Sequence, residues 1–319
     1  MQTLAIGAAA IVFRLVSAVV VGFALRLVPR TAADAGETTF GIAPMIARTL
    51  DRSLGHALPA SLPSSMLLAW LAFAGAMVML VRLAQADVDG DRAEGAVLLA
   101  AVFPFAAVFG RSGAEALFFA GAIAAFSCFR RQQWIAGGVC GAVATAAIPT
   151  GVLIVPALGW IGLADPSARR TWTVVIGLML AVAGCAGYLS YAYYLGGPPG
   201  GWITAAHDWG LQMAQPPWTP LVRLFTTTLP AVDAMSGVVA LIALVAVPLV
   251  WWRLNGGYAI YMIAMLWLPL TSGRYDSIGR ACALLFPLFV LAAAIRSRIV
   301  VTLIAVTSAM FYALIAVQM

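Results

Sequence analysis

The chain has 319 residues, 63% hydrophobic and 9% charged, with a formal net charge of +6. Its mean hydropathy of +0.99 excludes a soluble globular protein, whose charged share is nearer about a quarter. All 18 basic residues are arginines, and none of them alternates with aromatics as in a nucleic-acid patch, so no nucleic-acid partner is expected.

Apolar runs of about 15–23 residues recur along the chain, long enough to cross the hydrocarbon core. Period-2 alternation is absent, and a backbone in lipid must satisfy itself internally, so helices are expected. The first lies over 4–26 and carries Arg14 in its middle. It has neither a basic leader nor a small-residue cleavage site, which predicts a retained helix. An outer segment follows over 27–65. Within it Ile42, Met45, Ile46, Leu50 and Leu54 recur at helical spacing, with Arg48, Asp51, Arg52 and His56 on other faces. That pattern predicts an amphipathic helix on the membrane surface. Further helices are expected over 66–84, 95–109, 115–129, 133–147, 151–163 and 172–194. A second outer segment spans 195–235, and the last four helices cover 236–254, 257–272, 281–295 and 299–317. The expectation is an all-α membrane bundle of about 11 transmembrane helices in one domain, 1–319.

Arginine placement orients the bundle. Arg130–Arg131, Arg169–Arg170, Arg253 and Arg296/Arg298 fall on one side, which the positive-inside rule assigns to the cytoplasm. Residues 132–164 lie between two such clusters and must cross an even number of times. Ile148-Pro149-Thr150-Gly151 divides them, because Pro removes a donor and Gly is permissive. Two shortened helices meeting at that break satisfy the charges. On this threading Asp34, Glu115, Pro149, Trp209, Arg274 and Arg280 share the outer face of a bacterial inner membrane. Clustering on one face points to a site.

Asp34 follows the first helix and is a candidate base for a sugar hydroxyl; a solvated loop acid is the competing reading. Glu115 opens a helix, where the dipole favours an acid, so it is either a cap or a second carboxylate of the site. Arg14 lies at a depth where a charge is costly and should face the bundle interior, a partner or a wet cavity, which makes it a candidate substrate contact. Arg274 and Arg280 flank a short outer loop and suit phosphate, although interfacial snorkelling explains them equally. Trp209 is a candidate for stacking on a sugar or a belt residue. Cys128, Cys140, Cys185 and Cys282 show no ligand or disulfide spacing, and with only His56 and His207 available no metal centre is indicated.

Several of these segments, in order, resemble the PIG-V-like mannosyltransferase family of integral-membrane glycosyltransferases with the GT-C fold. The likeness runs from Phe103-Pro104-Phe105 through Glu115-Ala116-Leu117-Phe118, Arg130–Arg131 and Trp134-Ile135-Ala136-Gly137 to Pro149-Thr150-Gly151-Val152. Asp34-Ala35-Gly36 is similar to the family's first-loop aspartate motif. Trp209-Gly210 with Pro216-Pro217-Trp218 is similar to its tryptophan–glycine and double-proline segment, and Ser272-Gly273, Arg280 and Leu285-Phe286-Pro287 to its closing motif. The resemblance implies transfer of a sugar, typically mannose, from a polyprenyl-phosphate donor at the outer face, with inversion. Asp34 would be the base, Arg274 or Arg280 would hold the phosphate, and Glu115 would orient or bind substrate. The lipid-linked sugar is the donor substrate; whether a divalent metal takes part stays open, with no support for one in the sequence.

The chain also departs from the family. Gly113-Ala114 stands where the family carries Tyr-Thr, Ile148 where it carries Arg, and Ala281 where it carries Tyr. A catalytically degenerate GT-C-like subunit of a larger membrane complex is therefore a second expectation. A transporter, suggested by the Pro-broken helix pair and Arg14, is a third.

Overall fold

The computed structural model describes residues 41–54, 64–110, 113–164, 172–196, 215–295 and 297–318. Every regular element among them is helical. In chain order these are α1 (Ala43–Leu54), α2 (Ser64–Ala84), α3 (Gly90–Ala101), α4 (Ala114–Arg130), α5 (Trp134–Ala147), α6 (Val155–Ala164) and α7 (Trp172–Gly196). After these come α8 (Thr219–Thr226), α9 (Ala231–Arg253), α10 (Gly256–Ser272), α11 (Tyr275–Ala283), α12 (Phe286–Ala293) and α13 (Arg298–Gln318). Short 3₁₀ turns cover Ala106–Gly110 and Pro149–Ile154.

Among the described residues three helices are long and apolar enough to cross a membrane: Ser64–Ala84, Trp172–Ser190 and Ala231–Arg253. Tyr275–Ala283 with Phe286–Ala293, bent by 57°, adds a fourth if the pair is one span. Leu71, Met179, Val245, Leu303 and Met310 stand exposed along these and neighbouring helices. So much outward hydrocarbon fits a protein embedded in lipid.

The helices alternate between two ends of the bundle. At one end Arg130 closes α4, and the turn after α2 and the start of α10 meet it there through Asp87 and Tyr258. At the other end Gly113 opens α4 beside Ser65 of α2, and Arg280 of α11 approaches Glu115. Exposed Trp160, Trp172, Trp251 and Trp252 gather at the Arg130 end, as interfacial tryptophans do.

The division at Pro149 is present. Helix α5 stops at Ala147, Ile148 is extended, and the 3₁₀ turn leads into α6. Gly162 of α6 lies against Trp134 and Phe129, so α6 has returned to the level at which α5 began. The two short helices form a hairpin whose tip lies at the Glu115 end.

Small residues draw α5 and α7 together. A Cβ on Gly138 would stand 2.4 Å from the Gly177 carbonyl oxygen, and one on Gly184 would stand 2.1 Å from that of Ala142. Thr145 Oγ1 donates across the same seam to the Ala181 carbonyl at 2.6 Å. In lipid the hydrophobic effect does not drive helices together, so close backbone contact and interhelical hydrogen bonds take over.

Three expectations are corrected. The helix expected over 95–109 ends at Ala101 and resumes as a 3₁₀ turn at Ala106, because Pro104 cannot supply a helical N–H. The helix expected over 281–295 is two helices, α11 and α12, broken at Leu284–Leu285. The outer segment expected over 195–235 holds α8, and α9 begins within it at Ala231. The amphipathic helix appears as α1, but Ala43 and Ala47 are its buried positions, with Ile42, Met45, Ile46 and Leu50 half-buried. Its small residues are what fit against the bundle. The first helix, 4–26, lies outside the described residues.

At the Arg130 end Arg130 Nη1 donates to Asp87 Oδ2 and, at 3.0 Å, to the Tyr258 hydroxyl. The Asp87 side chain is 5% exposed, so its charge depends on this partner. Asp87→Ala leaves the half-buried guanidinium without its carboxylate and is expected to cost about 3–5 kcal/mol, and Asp87→Ala with Arg130→Met less than that, both read by unfolding in detergent. Gly184→Leu should lower the melting temperature and the folded yield through an overpacking cost of about 1–3 kcal/mol or more. Gly187→Leu, where nothing lies within 4 Å of the added Cβ, should leave both unchanged.

Candidate functional site

Helix α4 starts after Gly113, which takes a left-handed backbone (φ 77°). Glu115 is then the second residue of the helix, where unpaired N–H groups and the dipole favour an anion. Its side chain is only 6% exposed. Opposite it, the α10–α11 turn depends on Gly273 (φ 70°). A Cβ there would collide with the Gln215 side chain, whose own backbone N–H donates to the Thr271 carbonyl at 3.1 Å. That turn launches α11 so that Arg280 reaches toward Glu115, with Nη1 3.7 Å from Oε1.

Arg280 borders a small, partly open cleft. Ser277 and Ala281 of α11 line it, Met265 and Pro269 of α10 form a wall, and Thr150 closes it from the tip of the α5–α6 hairpin. Leu284, at the α11–α12 break, completes it. The Leu284 carbonyl lies at that break and accepts from the Tyr261 hydroxyl at 2.8 Å and from the Phe286 N–H at 2.9 Å. Tyr261 is fully buried and stacks against Phe286 with ring centroids 5.4 Å apart. The break is therefore held from below by a hydrogen bond and a ring contact, and Arg280 sits one turn before it.

Of the sequence candidates, the structure brings Glu115 and Arg280 together. Arg274 lies at the start of α11, exposed, with Nη2 3.1 Å and Nε 3.4 Å from the carboxylate of Asp276. It does not line the cleft. Asp34, Trp209 and Arg14 lie outside the described residues. Thr150, Ser277 and Tyr261 were not singled out as site residues. Thr150 was signalled by its place in the Pro-Thr-Gly break, and Ser277 by standing one turn before Arg280 on the same helix. Tyr261 had no signal, because its partner is a main-chain carbonyl 23 residues away.

Chemically the cleft offers one guanidinium and two hydroxyls on a largely apolar wall. Arg supplies a fork of donors that suits phosphate or carboxylate, and the hydrocarbon lining suits an attached chain. Among the described residues no three His, Cys, Asp or Glu side chains gather as a metal site, and the four cysteines are unpaired thiols.

Compared with models of protein families, with curated proteins and with solved structures, the chain matches none.

Tyr261→Phe removes one of the two donors to the Leu284 carbonyl while keeping the ring. It should lower stability by about 0.5–1.5 kcal/mol in thermal or denaturant unfolding.

Proposed function

We propose that the protein is a membrane glycosyltransferase of GT-C-like architecture. It moves a sugar, mannose on the resemblance, from a polyprenyl-phosphate donor to an acceptor at the outer face of a bacterial inner membrane. The observation that carries this reading is the meeting of Glu115 and Arg280 beside an apolar cleft that also holds Thr150. These residues come from three separated motifs of the resemblance, and they converge at one end of the bundle. In this reading the full chain crosses the membrane eleven times, and the Arg130 end faces the cytoplasm.

The chemistry follows from the leaving group. A lipid phosphate departs as an anion, so the demand on the protein is to hold developing negative charge and not to donate a proton. Arg280 serves that role from the wall of the cleft. Asp34 takes the proton of the acceptor hydroxyl, which then attacks the sugar carbon from the face opposite the phosphate and inverts it. Arg274, Trp209 and Arg14 are proposed as further substrate contacts, and Arg274 must leave Asp276 to take part. Ser277 and Thr150 offer hydroxyls to the headgroup.

A second reading is a non-catalytic subunit of a membrane complex. The pairing of Arg274 with Asp276 favours it, since that arginine is engaged away from the cleft. Purification with a stoichiometric partner and no transfer activity would support this alternative.

The test is transfer of radiolabelled mannose from polyprenyl-phosphate-mannose in membranes that contain the protein. Asp34→Asn is expected to lower the rate by about 10²–10⁴-fold, the usual worth of a general base. Arg280→Gln is expected to lower it by about 10²-fold or more, as loss of a charge-stabilising donor does. Undiminished transfer by Asp34→Asn would remove the catalytic assignment.

A further inference from the structure

Helix α8 is short, and its two sides have different surroundings. Pro220 and Leu224 turn toward the bundle. Leu224 Cδ1 would lie 3.2 Å from a Cβ on Gly237 of α9, and the Pro220 carbonyl accepts from the Tyr275 hydroxyl of α11 at 2.8 Å. On the other side Trp218, Val222 and Phe225 recur at helical spacing and are 63%, 52% and 75% exposed. Arg223, also exposed, stands on the flank of that stripe.

The level of α8 follows from its contact with α9. From Ala231, where α9 begins, to Gly237 is six residues, or about 9 Å along the helix at 1.5 Å per residue. The next residue opens the outward stripe of α9, in which Val238, Ile242, Val245 and Leu249 are all exposed. That helix is long and apolar enough to cross a membrane, so its outward stripe faces acyl chains. The exposed side of α8 stands where this lipid face begins. Amphipathic helices of an interface lie at such a depth, about 5–10 Å into the boundary between headgroups and acyl chains.

A protein partner fits the stripe less well. Stable protein interfaces take about 20–30 residues a side, and Trp218, Val222 and Phe225 fall far short of that. A tryptophan at the head of the helix and an arginine on its flank are what a membrane interface favours.

We propose that α8 is an interfacial docking helix occupied by phospholipid of the leaflet at the Glu115 end. Acyl chains cover Trp218, Val222 and Phe225, and Arg223 lies on the headgroup side. The inference stands apart from the transferase reading, yet it bears on the cleft. A Cβ on Gly279 would lie 2.9 Å from Ser236 Oγ, so the neighbouring Arg280 is at the level of α9 where α8 also packs. The lipid boundary that α8 marks is then the height of the cleft. An amphiphile resting in that leaflet carries its headgroup at the height of Arg280.

The test places single nitroxide labels on the full chain in phosphatidylcholine nanodiscs. It reads collisions with oxygen, which concentrates among acyl chains, and with a water-soluble nickel chelate. The signal from the native cysteines, measured on the unsubstituted chain, is subtracted. Val222→Cys and Phe225→Cys are expected to collide several-fold more with oxygen than with nickel, as Val245→Cys on the lipid face of α9 does, but at shallower depth. Thr228→Cys, exposed in the α8–α9 loop, should show the reverse preference. Arg223→Cys should favour nickel more than Val222→Cys does, and the opposite order would turn the helix over and overturn the assignment.

Nickel-dominated collisions at position 222 or 225 would put the stripe in water. Weak collisions with both reagents would put it against protein, a second copy of this chain included. Either result overturns the proposal. Trp218 gives a reading that needs no introduced label. Trp218→Phe should remove fluorescence that phosphatidylcholine brominated high on its chains quenches, and loss of unquenched fluorescence alone would overturn the lipid contact.

Discussion

A backbone carbonyl freed inside an apolar surround must find a donor within the protein, and this constraint governs where the chain can break its helices. Two breaks border the same cleft. One lies at Ile148–Pro149 and sends the chain back as the α5–α6 hairpin, leaving Thr150 on the cleft wall. The other lies at Leu284–Leu285, where α11 gives way to α12, and the Leu284 carbonyl accepts from the Tyr261 hydroxyl and the Phe286 N–H. Irregular backbone in apolar surroundings is tolerated where it is buried in protein or lines a cavity. Its concentration around Arg280 is thus physical support for a site, independent of any resemblance.

The rest of the bundle holds those breaks in place. The glycine-lined seam between α5 and α7 brings two backbones within reach of each other and fixes the hairpin from one side. Phe126, Tyr258, Tyr261 and Phe286 form a ring cluster between α4, α10 and α12, with centroids 5.1–5.5 Å apart. At its lower edge Tyr258 joins Arg130 and Asp87, so the cluster is pinned at the end away from the cleft. Tyr261, one turn along α10, carries that rigidity up to the second break. A continuous packed path therefore runs from the Arg130 end to the backbone that presents Arg280.

What could be read from the sequence follows from which residues act locally. Pro149 and Gly151 act on their own backbone, so the hairpin and the level of its tip were legible. The arginine pairs bounding residues 132–164 gave the parity of crossings, and contacts such as Gly162 against Trp134 agree with it. Glu115 and Arg280 could be placed on one face because each lies at a helix end. The α11–α12 break was missed because no proline or glycine occupies it. The available sign was Pro287 in the first turn of α12, a place that suits proline because no N–H is needed there. Helix α8 carries the same sign in Pro220, also in its first turn. The seam and the Tyr261 hydrogen bond join residues far apart in sequence, and no local pattern encodes such pairings.

The two ends of the bundle hold buried charge in different geometries. At the Arg130 end the guanidinium donates directly to a carboxylate and a phenol, and its face lies 5.7 Å from the Tyr258 ring centre. Such a cation is committed: moving it would strand Asp87 in an apolar surround, at a cost of several kcal/mol. At the Glu115 end the carboxylate sits on a helix terminus that favours it, with Arg280 Nη1 3.7 Å away on the wall of the cleft.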